Sequence, residues 1–335
     1  VNEFAILIKS HGPDRDYAAR LLDSIHRYNV EALPVYVVVP PEDVADFVEL
    51  AGDVATVLSE AELSEHLVEG PVAGFSAGYI NQEIVKLAFW ELGLAANYLC
   101  MDSDAEFVRP FRASDFMATD TTPFTFLTED ADLRVEPSYF AHTWQNRAAS
   151  LEKIREAIGY QGMWPLTVHG HAVFSATALR SFRDDFLAPQ GWDYADALAI
   201  SPYEPSWYNA WVLHAKPIDV IRREPIVKTF HNSTQHLEYV LRGVTQEDVA
   251  RGFVAVVVNS NYSRSEGVVP LTEAPHMALA SYVSAPDLVR AMGYRIRHVV
   301  TTAEPPLRRA RRLLGRLALH VPGLRRYVDT GQPNA

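Results

Sequence analysis

The first hundred residues alternate between short apolar runs and amphipathic segments of helical period, and that alternation leaves little choice of fold. "FAILIKS" (4–10) and "LPVYVVVP" (33–40) are continuous β-branched runs of strand length, the pattern of strands buried on both faces. Between them, "DRDYAARLLDSIHRYN" places Ala18, Leu21, Leu22 and Ile25 on one helical face, with Asp14 or Asp16 as its cap. "PEDVADFVELAG" predicts a second helix, with Pro41 in its first turn and Gly52 beyond its end. "VATVLSE" reads as a weak third strand and "AGYINQEIVKLAFWELGL" as a third helix ending near Gly93. "NYLCM" is then a fourth strand. This β-α-β-α-β order predicts an α/β fold, a Rossmann-like and mostly parallel sheet flanked by helices.

Farther along the pattern loosens. "TPFTFLTE" (122–129) predicts a strand and "QNRAASLEKIREAIG" (145–159) an exposed helix. "WPLTVHGHAVFSATALRSFRDDF" reads as strand, turn and a helix capped near Ser175. "IDVIRREPIVKTFHN" is extended, and "TQEDVARGFVAVVVNSN" is helix then strand. With no internal repeat or long linker, the chain is expected to form one elaborated α/β domain with a separate tail.

Composition sets limits on what such a domain does. Of the 335 residues, 48% are apolar and 21% charged, as in ordinary globular proteins. A formal net charge of −12 argues against general nucleic-acid binding, which needs a basic surface. The single cysteine, Cys100, excludes an intramolecular disulfide and fits a reducing compartment. "VNEFAILIKS" lacks the features of a secretory signal, and no apolar run reaches the roughly 18 residues of a membrane span, so a cytoplasmic location is expected. One stretch departs from the acidic average. Residues 306–327, "PLRRARRLLGRLALHVPGLRRY", hold no acid and space Leu307, Ala310, Leu314, Leu317, Val321 and Leu324 at helical period. Pro322 and Gly323 would kink or end that helix. It reads either as a basic amphipathic helix resting on anionic membrane or as a helix docked on the protein's own acidic body.

Ligands of open α/β sheets bind beyond the carboxyl ends of the strands. The first strand ends in Lys9-Ser10-His11-Gly12, with Asp14 and Arg15 entering the helix. Those residues suit contacts to a nucleotide's ring or phosphates, and equally an ordinary polar turn. The fourth strand ends in "ANYLCMDSD". If the strand persists into Asp102, Asp102 and Asp104 project to the same side and repel one another unless a cation lies between them. Such hard oxygen donors suit Mg²⁺ or Mn²⁺, with diphosphate oxygens completing the shell. "VHGHAVFS" sets His169 and His171 on one side of an extended segment, facing substrate or packing inward. "SPYEPSWYNAW" groups Glu204 with Tyr203, Trp207, Tyr208 and Trp211. Aromatic platforms beside a carboxylate are a common way to hold a sugar, and Glu204 is a candidate base, or simply an acid at a helix N-terminus.

The segment "GYINQEIVKLAFWELGLAANYLCMDSDAEFVRPF" (78–111), together with "AILIKSHGPDRDYAARLLDSI", resembles the nucleotide-sugar-dependent glycosyltransferases of the GT-A fold. The resemblance covers about the first 115 residues. It implies residues 1–115 as a nucleotide-binding half, 116–300 as an acceptor-binding half and 301–335 as the basic tail. It places Asp102 near the ribose and the metal, catalytic together with Glu204, and makes Asp104 a direct metal ligand. Lys9, Ser10, His11, Arg15 and Ser103 would border the nucleotide, while Tyr79, Gln82 and Lys86, on one helix face, would point toward the donor. His231 in "VKTFHNSTQH", or alternatively His236, would complete the metal shell, with His169, His171, Trp207 and Tyr208 on the acceptor side. The implied activity is Mn²⁺- or Mg²⁺-dependent transfer of a sugar from a nucleoside diphosphate to a hydroxyl of a glycan or lipid-linked acceptor, inverting or retaining. Two other readings stay open. One is a non-catalytic nucleotide-binding module on the same scaffold. The other is a haloacid-dehalogenase-type phosphatase with Asp102 as nucleophile.

Overall fold

The computed structural model describes residues 1–127, 137–162, 171–230, 239 and 244–260, with the side chains of the long fourth helix described from residue 148 onward. The chain divides into two compact units. One comprises Val1–Asp130, Arg147–Thr229 and Phe253–Val257; the other comprises Ala131–Asn146, Phe230–Gly252 and Val258–Ala335.

The first unit is built on a five-stranded sheet. β1 (Asn2–Lys9), α1 (Arg15–Tyr28), β2 (Val35–Val39), α2 (Val44–Ala51), β3 (Thr56–Ser59), α3 (Ala77–Ala88) and β4 (Ala95–Asp102) follow one another as the periodicity predicts. α1 buries Ala18, Leu21, Leu22 and Ile25, the face expected from their spacing. α2 ends at Gly52, whose φ of 49° is the positive value glycine tolerates, and α3 runs through a 3₁₀ turn (Phe89–Leu92) to Gly93 at φ 68°. Strands run in the order β3-β2-β1-β4-β7, with β1, β2, β3 and β4 parallel and β7 (Val173–Ser175) antiparallel to β4 at the edge.

Alternation along the strands divides the core in two. Ala5, Leu7, Tyr98 and Cys100 pack with residues of α3 and of later helices, including Ile84, Leu179, Phe182 and Trp207. Phe4, Ile6, Ile8, Leu99 and Met101 pack with α1 and α2 on the other face. Both faces of the central strands are dry, which is why their sequences are continuous apolar runs.

Beyond β4 come β5 (Ala105–Phe107), β6 (Thr125–Phe126) and α4 (Pro137–Ile158). Of the strand expected over 122–129, residues 122–127 are described, and within them β6 covers Thr125–Phe126. α4 starts earlier than expected and is not simply exposed, since Leu151, Ile154 and Ile158 are buried. α5 (Ala176–Ser181) continues through a π-helical turn (Phe182–Leu187) into the single turn α6 (Ala188–Gln190). α7 (Tyr194–Ile200) and α8 (Glu204–Ala215) follow, then β8 (Arg222–Arg223) and β9 (Val227–Phe230). The described part of the second unit includes α9 (Gln246–Gly252), capped by reciprocal bonds between Thr245 and Asp248. β10 (Ala255–Val258) pairs antiparallel with β5. Among the described residues no helix is long and apolar enough to cross a membrane.

Candidate active site

After β1 the chain moves outward through β2 and β3, then returns to place β4 on the other side of β1. The connections on the two sides therefore diverge beyond the C-terminal ends of β1 and β4, opening a crevice there. Lys9 and Asp102 are register partners at that point. By strand alternation both continue the face covered by α3, the face of Ala5, Leu7, Tyr98 and Cys100.

Four ionisable side chains converge on that face. Lys86 Nζ lies 3.0 Å from Asp102 Oδ1, 3.1 Å from Glu204 Oε1 and 3.2 Å from Glu83 Oε2. The side chains of Lys86, Glu83 and Glu204 are 5–9% exposed, whereas Asp102 keeps 44% of its side chain open. The lysine thus ties the strand end to the first residue of α8, Glu204, which is 118 positions from Lys86 itself. Its backbone is fixed as well, because Tyr98 Oη donates to the Lys86 carbonyl at 2.7 Å. α8 is held in turn by Trp207 Nε1, which donates to Ser201 O at 2.8 Å, and by Tyr208 Oη, which accepts from the Ser175 amide at 3.0 Å.

The electrostatics follow from one ammonium facing three acids. Burial alone would lower the Lys86 pKa, but Asp102, Glu204 and Glu83 outweigh it and hold the side chain firmly protonated. Burial would raise Asp102; Lys86 and then His171 overcome this and keep it below the ordinary carboxylate range. Glu83 goes the other way. Burial and the neighbouring Glu204 push its pKa well above the usual value. His171 lies close enough to Asp102 to feel its charge, yet burial outweighs this and lowers its pKa.

The β1–α1 loop is drawn largely into its own network. Lys9 Nζ pairs with Glu60 at 2.9 Å and donates to the Ser10 carbonyl at 3.0 Å. The Gly12 amide donates to Asp43 Oδ2 at 2.6 Å, and a Cβ at Gly12 would meet that carboxylate at 2.7 Å. Asp14, at the start of α1, does not cap the helix with its side chain. Its Oδ2 instead lies 3.2 Å from His11 Nδ1 and accepts from Ser103 Oγ at 3.3 Å, which joins this loop to the β4–β5 turn. Ser10 Oγ and His171 Nε2 are buried with no hydrogen-bond partner among the described residues. Unsatisfied polar atoms at such a crevice are what a ligand would engage.

Asp102, Lys86 and Glu204, which the sequence singled out separately, are brought into one cluster. Tyr79 is adjacent, its hydroxyl under the influence of Glu83 and Glu204, and Gln82 lies half-buried one turn before Lys86. Arg15 opens α1 and is half-buried. Trp207 and Tyr208 correct an expectation. They are 0% and 3% exposed, packed against Phe182, Phe186 and Phe174, so neither ring can stack on a sugar. Their helix places Glu204 at the site and turns the aromatic face inward. His169, His231, His236 and 306–327 lie outside the described residues. Glu83, Glu60 and Asp43 were missed by sequence reasoning. Only Glu83 left a trace there, as an acid three residues before Lys86 beside the buried Ile80, Ile84 and Leu87.

The donor chemistry around Asp102 suits a hard divalent cation: a half-open carboxylate at the strand end, and a second, Asp104, in the turn two residues on. Elsewhere, Glu65, His66 and Glu91 bring three ligating atoms close together. That group is committed internally, since Glu91 accepts from Arg183 and from Tyr194 Oη at 2.7 Å each and lies 3.3 Å from His66 Nε2.

Fold and site together define an open α/β protein with an ionic cluster at its topological switch point. Residues 8–242 match the family described as "Family of unknown function (DUF6492)", and the chain belongs to that family. No curated protein matches it. Among solved structures, the chain is similar to mouse xyloside xylosyltransferase 1 in its apo form, at 10% identity and a TM-score of 0.43, covering 77% of this chain and 98% of that one. It is also similar to the apo WbbM bifunctional glycosyltransferase, at 10% identity and a TM-score of 0.45, covering 78% of this chain and 46% of that one. Likenesses this distant carry no argument about activity.

Proposed function

We propose that the protein is a metal-dependent glycosyltransferase of GT-A type, moving a sugar from a nucleoside diphosphate to an acceptor hydroxyl. One observation carries this reading: Asp102 from the end of β4 and Glu204 from the start of α8 meet across Lys86 at the switch point. Asp102 and Asp104 would hold Mn²⁺ or Mg²⁺, with His231 as a further ligand. The cation, when bound, neutralises the diphosphate as it leaves. Lys86 fixes the spacing between the donor side, at Asp102, and the acceptor side, at Glu204. Glu204 takes the proton of the attacking hydroxyl while the bond from the anomeric carbon to the diphosphate breaks, an arrangement that inverts configuration. Lys9, Ser10, His11, Arg15, Ser103 and Gln82 border the donor in this reading, and His171 borders the acceptor. A lipid-linked or surface glycan is the acceptor that fits a cytoplasmic enzyme resting on anionic membrane through 306–327.

The test is thermal denaturation with a panel of nucleotide sugars and nucleoside diphosphates, with and without Mn²⁺. A matching ligand at about 100 times its Kd stabilises by roughly 2.7 kcal/mol, or a few degrees. That shift is expected to need the cation and to vanish in Asp104→Ala. No cation-dependent shift with any donor removes the proposal. A shift with no transfer to any acceptor leaves a binding module instead.

A further inference from the structure

The segment between β3 and α3 is fastened to the first unit at three places. It opens with the 3₁₀ turn Glu60–Leu63, and Leu67, Val68 and Val72 pack part-buried against the core cluster beneath them. Near β3 it is held by Glu60, which pairs with Lys9 at 2.9 Å. Near α3 the Val68 backbone exchanges two hydrogen bonds with the Asn81 side chain, at 2.8 and 3.0 Å. Between these two lies His66.

His66 is turned inward, with its side chain 16% exposed. The charged and titratable groups facing it come from its own segment and from three others packed against it. Its Nε2 lies 3.6 Å from the adjacent Glu65 Oε1 and 3.3 Å from Oε2 of Glu91, in the 3₁₀ turn after α3. Its ring stands against Tyr194 of α7, with centroids 5.3 Å apart and planes at 74°. Arg183 of the π-helical turn donates to the same Glu91 oxygen at 2.7 Å and to Asp184 at 2.8 Å, while Tyr194 Oη donates to the other Glu91 oxygen at 2.7 Å. Glu91 is therefore fixed in place, and only 14% of its side chain is exposed.

His66 Nε2 is buried and makes no aligned hydrogen bond among the described residues. What attaches the ring to Glu91 is thus charge, and the imidazole carries charge only with its second proton. The contact with Glu91 raises the His66 pKa above the ordinary 6.5; burial and Arg183 oppose this, and the charges of Glu91 and Glu65 add to it.

We propose that His66 is a proton-operated fastener of the β3–α3 segment: as the imidazolium it pins residues 64–67 to Glu91, and on losing that proton it lets them open. The device lies outside the Lys86 cluster and stands without the glycosyl-transfer reading. Its direction follows from linkage. A histidine whose folded pKa is raised adds stability that is complete below 6.5 and is lost as pH rises through the folded value. The fastener is closed in mild acid and loosens toward alkaline pH.

The experiment uses the full-length protein, His66→Gln and the exposed-site variant Glu65→Lys, each checked for folding by circular dichroism. NMR titration of the imidazoles gives the His66 midpoint, assigned by its absence from His66→Gln. Hydrogen exchange between pH 5 and 9, corrected for the intrinsic rate, follows peptides covering 64–67 and, as reference, α1. In the wild type, protection of 64–67 should fall at the His66 midpoint, by about tenfold for each unit that the midpoint exceeds 6.5. The reference should show no such step. His66→Gln should lack the step and exchange at the alkaline wild-type level throughout. Glu65→Lys, which sets a cation beside the imidazole, should move midpoint and step to lower pH together. The proposal fails if the wild type shows no step at the midpoint, or if α1 shows the same step. It also fails if His66 titrates at or below 6.5, if His66→Gln keeps the step, or if Glu65→Lys moves the midpoint and leaves the step in place.

Discussion

Glu83 carries the clearest consequence at the scale of single residues. It sits beside Glu204 in the interior, and its carboxyl is protonated at pH values where an exposed glutamate is ionised. A carboxyl whose folded pKa is raised adds stability that is complete below the ordinary value of 4.5 and is lost as pH rises toward the folded value. Glu83→Gln keeps the shape and cannot ionise. Urea unfolding from pH 4.5 to 8 should therefore show the wild type losing stability relative to Glu83→Gln, by up to about 1.4 kcal/mol per pH unit. Parallel curves would mean that Glu83 is solvated and ionised like any surface acid. Sequence spacing selected Tyr79, Gln82 and Lys86 but not Glu83. Helical period shows which residues share a face, and it cannot show that an acid among apolar neighbours has a distant Glu204 to share its environment. Trp207 and Tyr208 show the same limit from the other side. A cluster of aromatics reads alike whether it lines a pocket or fills a core.

At the scale of elements, α3 and β4 act as one piece. Lys86 is in the last turn of α3, where carbonyls lack intrahelical partners, and the Tyr98 hydroxyl satisfies the Lys86 carbonyl from the middle of β4. Tyr98→Phe leaves the ring packing intact and removes that donor. It should cost about 1 kcal/mol in denaturant unfolding with an unchanged m-value, and donor binding should weaken along with it if Lys86 positions the site. No effect on either quantity would show that the bond holds nothing in place. The first four strands and three helices were legible because each satisfies a local rule: strand runs dry on both faces, and helices with a single buried stripe. β6 and α4 were read less well. Two-residue pairing with β8, and a helix that among its described side chains buries Leu151, Ile154 and Ile158, leave weak periodic traces.

For the whole molecule, the unequal distribution of charge is the property to test. The chain has a net charge of −12, yet 306–327 holds seven arginines and no acid, which makes that segment the favoured contact with an anionic surface. Full-length protein should co-sediment with phosphatidylserine-containing vesicles, and a version ending at Ala303 should not. The difference should shrink as salt rises. Equal sedimentation of the two would assign the segment to the protein's own body.

By itself the sequence determined the parallel α/β layer, the dry faces of its strands and the placement of Lys9 and Asp102 at strand ends. These depend on periodicity and on neighbours within a few residues, which a linear pattern records. Tertiary structure alone decided that Lys86 bridges Asp102 to Glu204, that Glu83 joins them and that Trp207 lies in the core. Those outcomes depend on which distant groups share a low-dielectric interior and which remain in water. Chain topology sets that, by placing β4 beside β1 and the start of α8 over their ends.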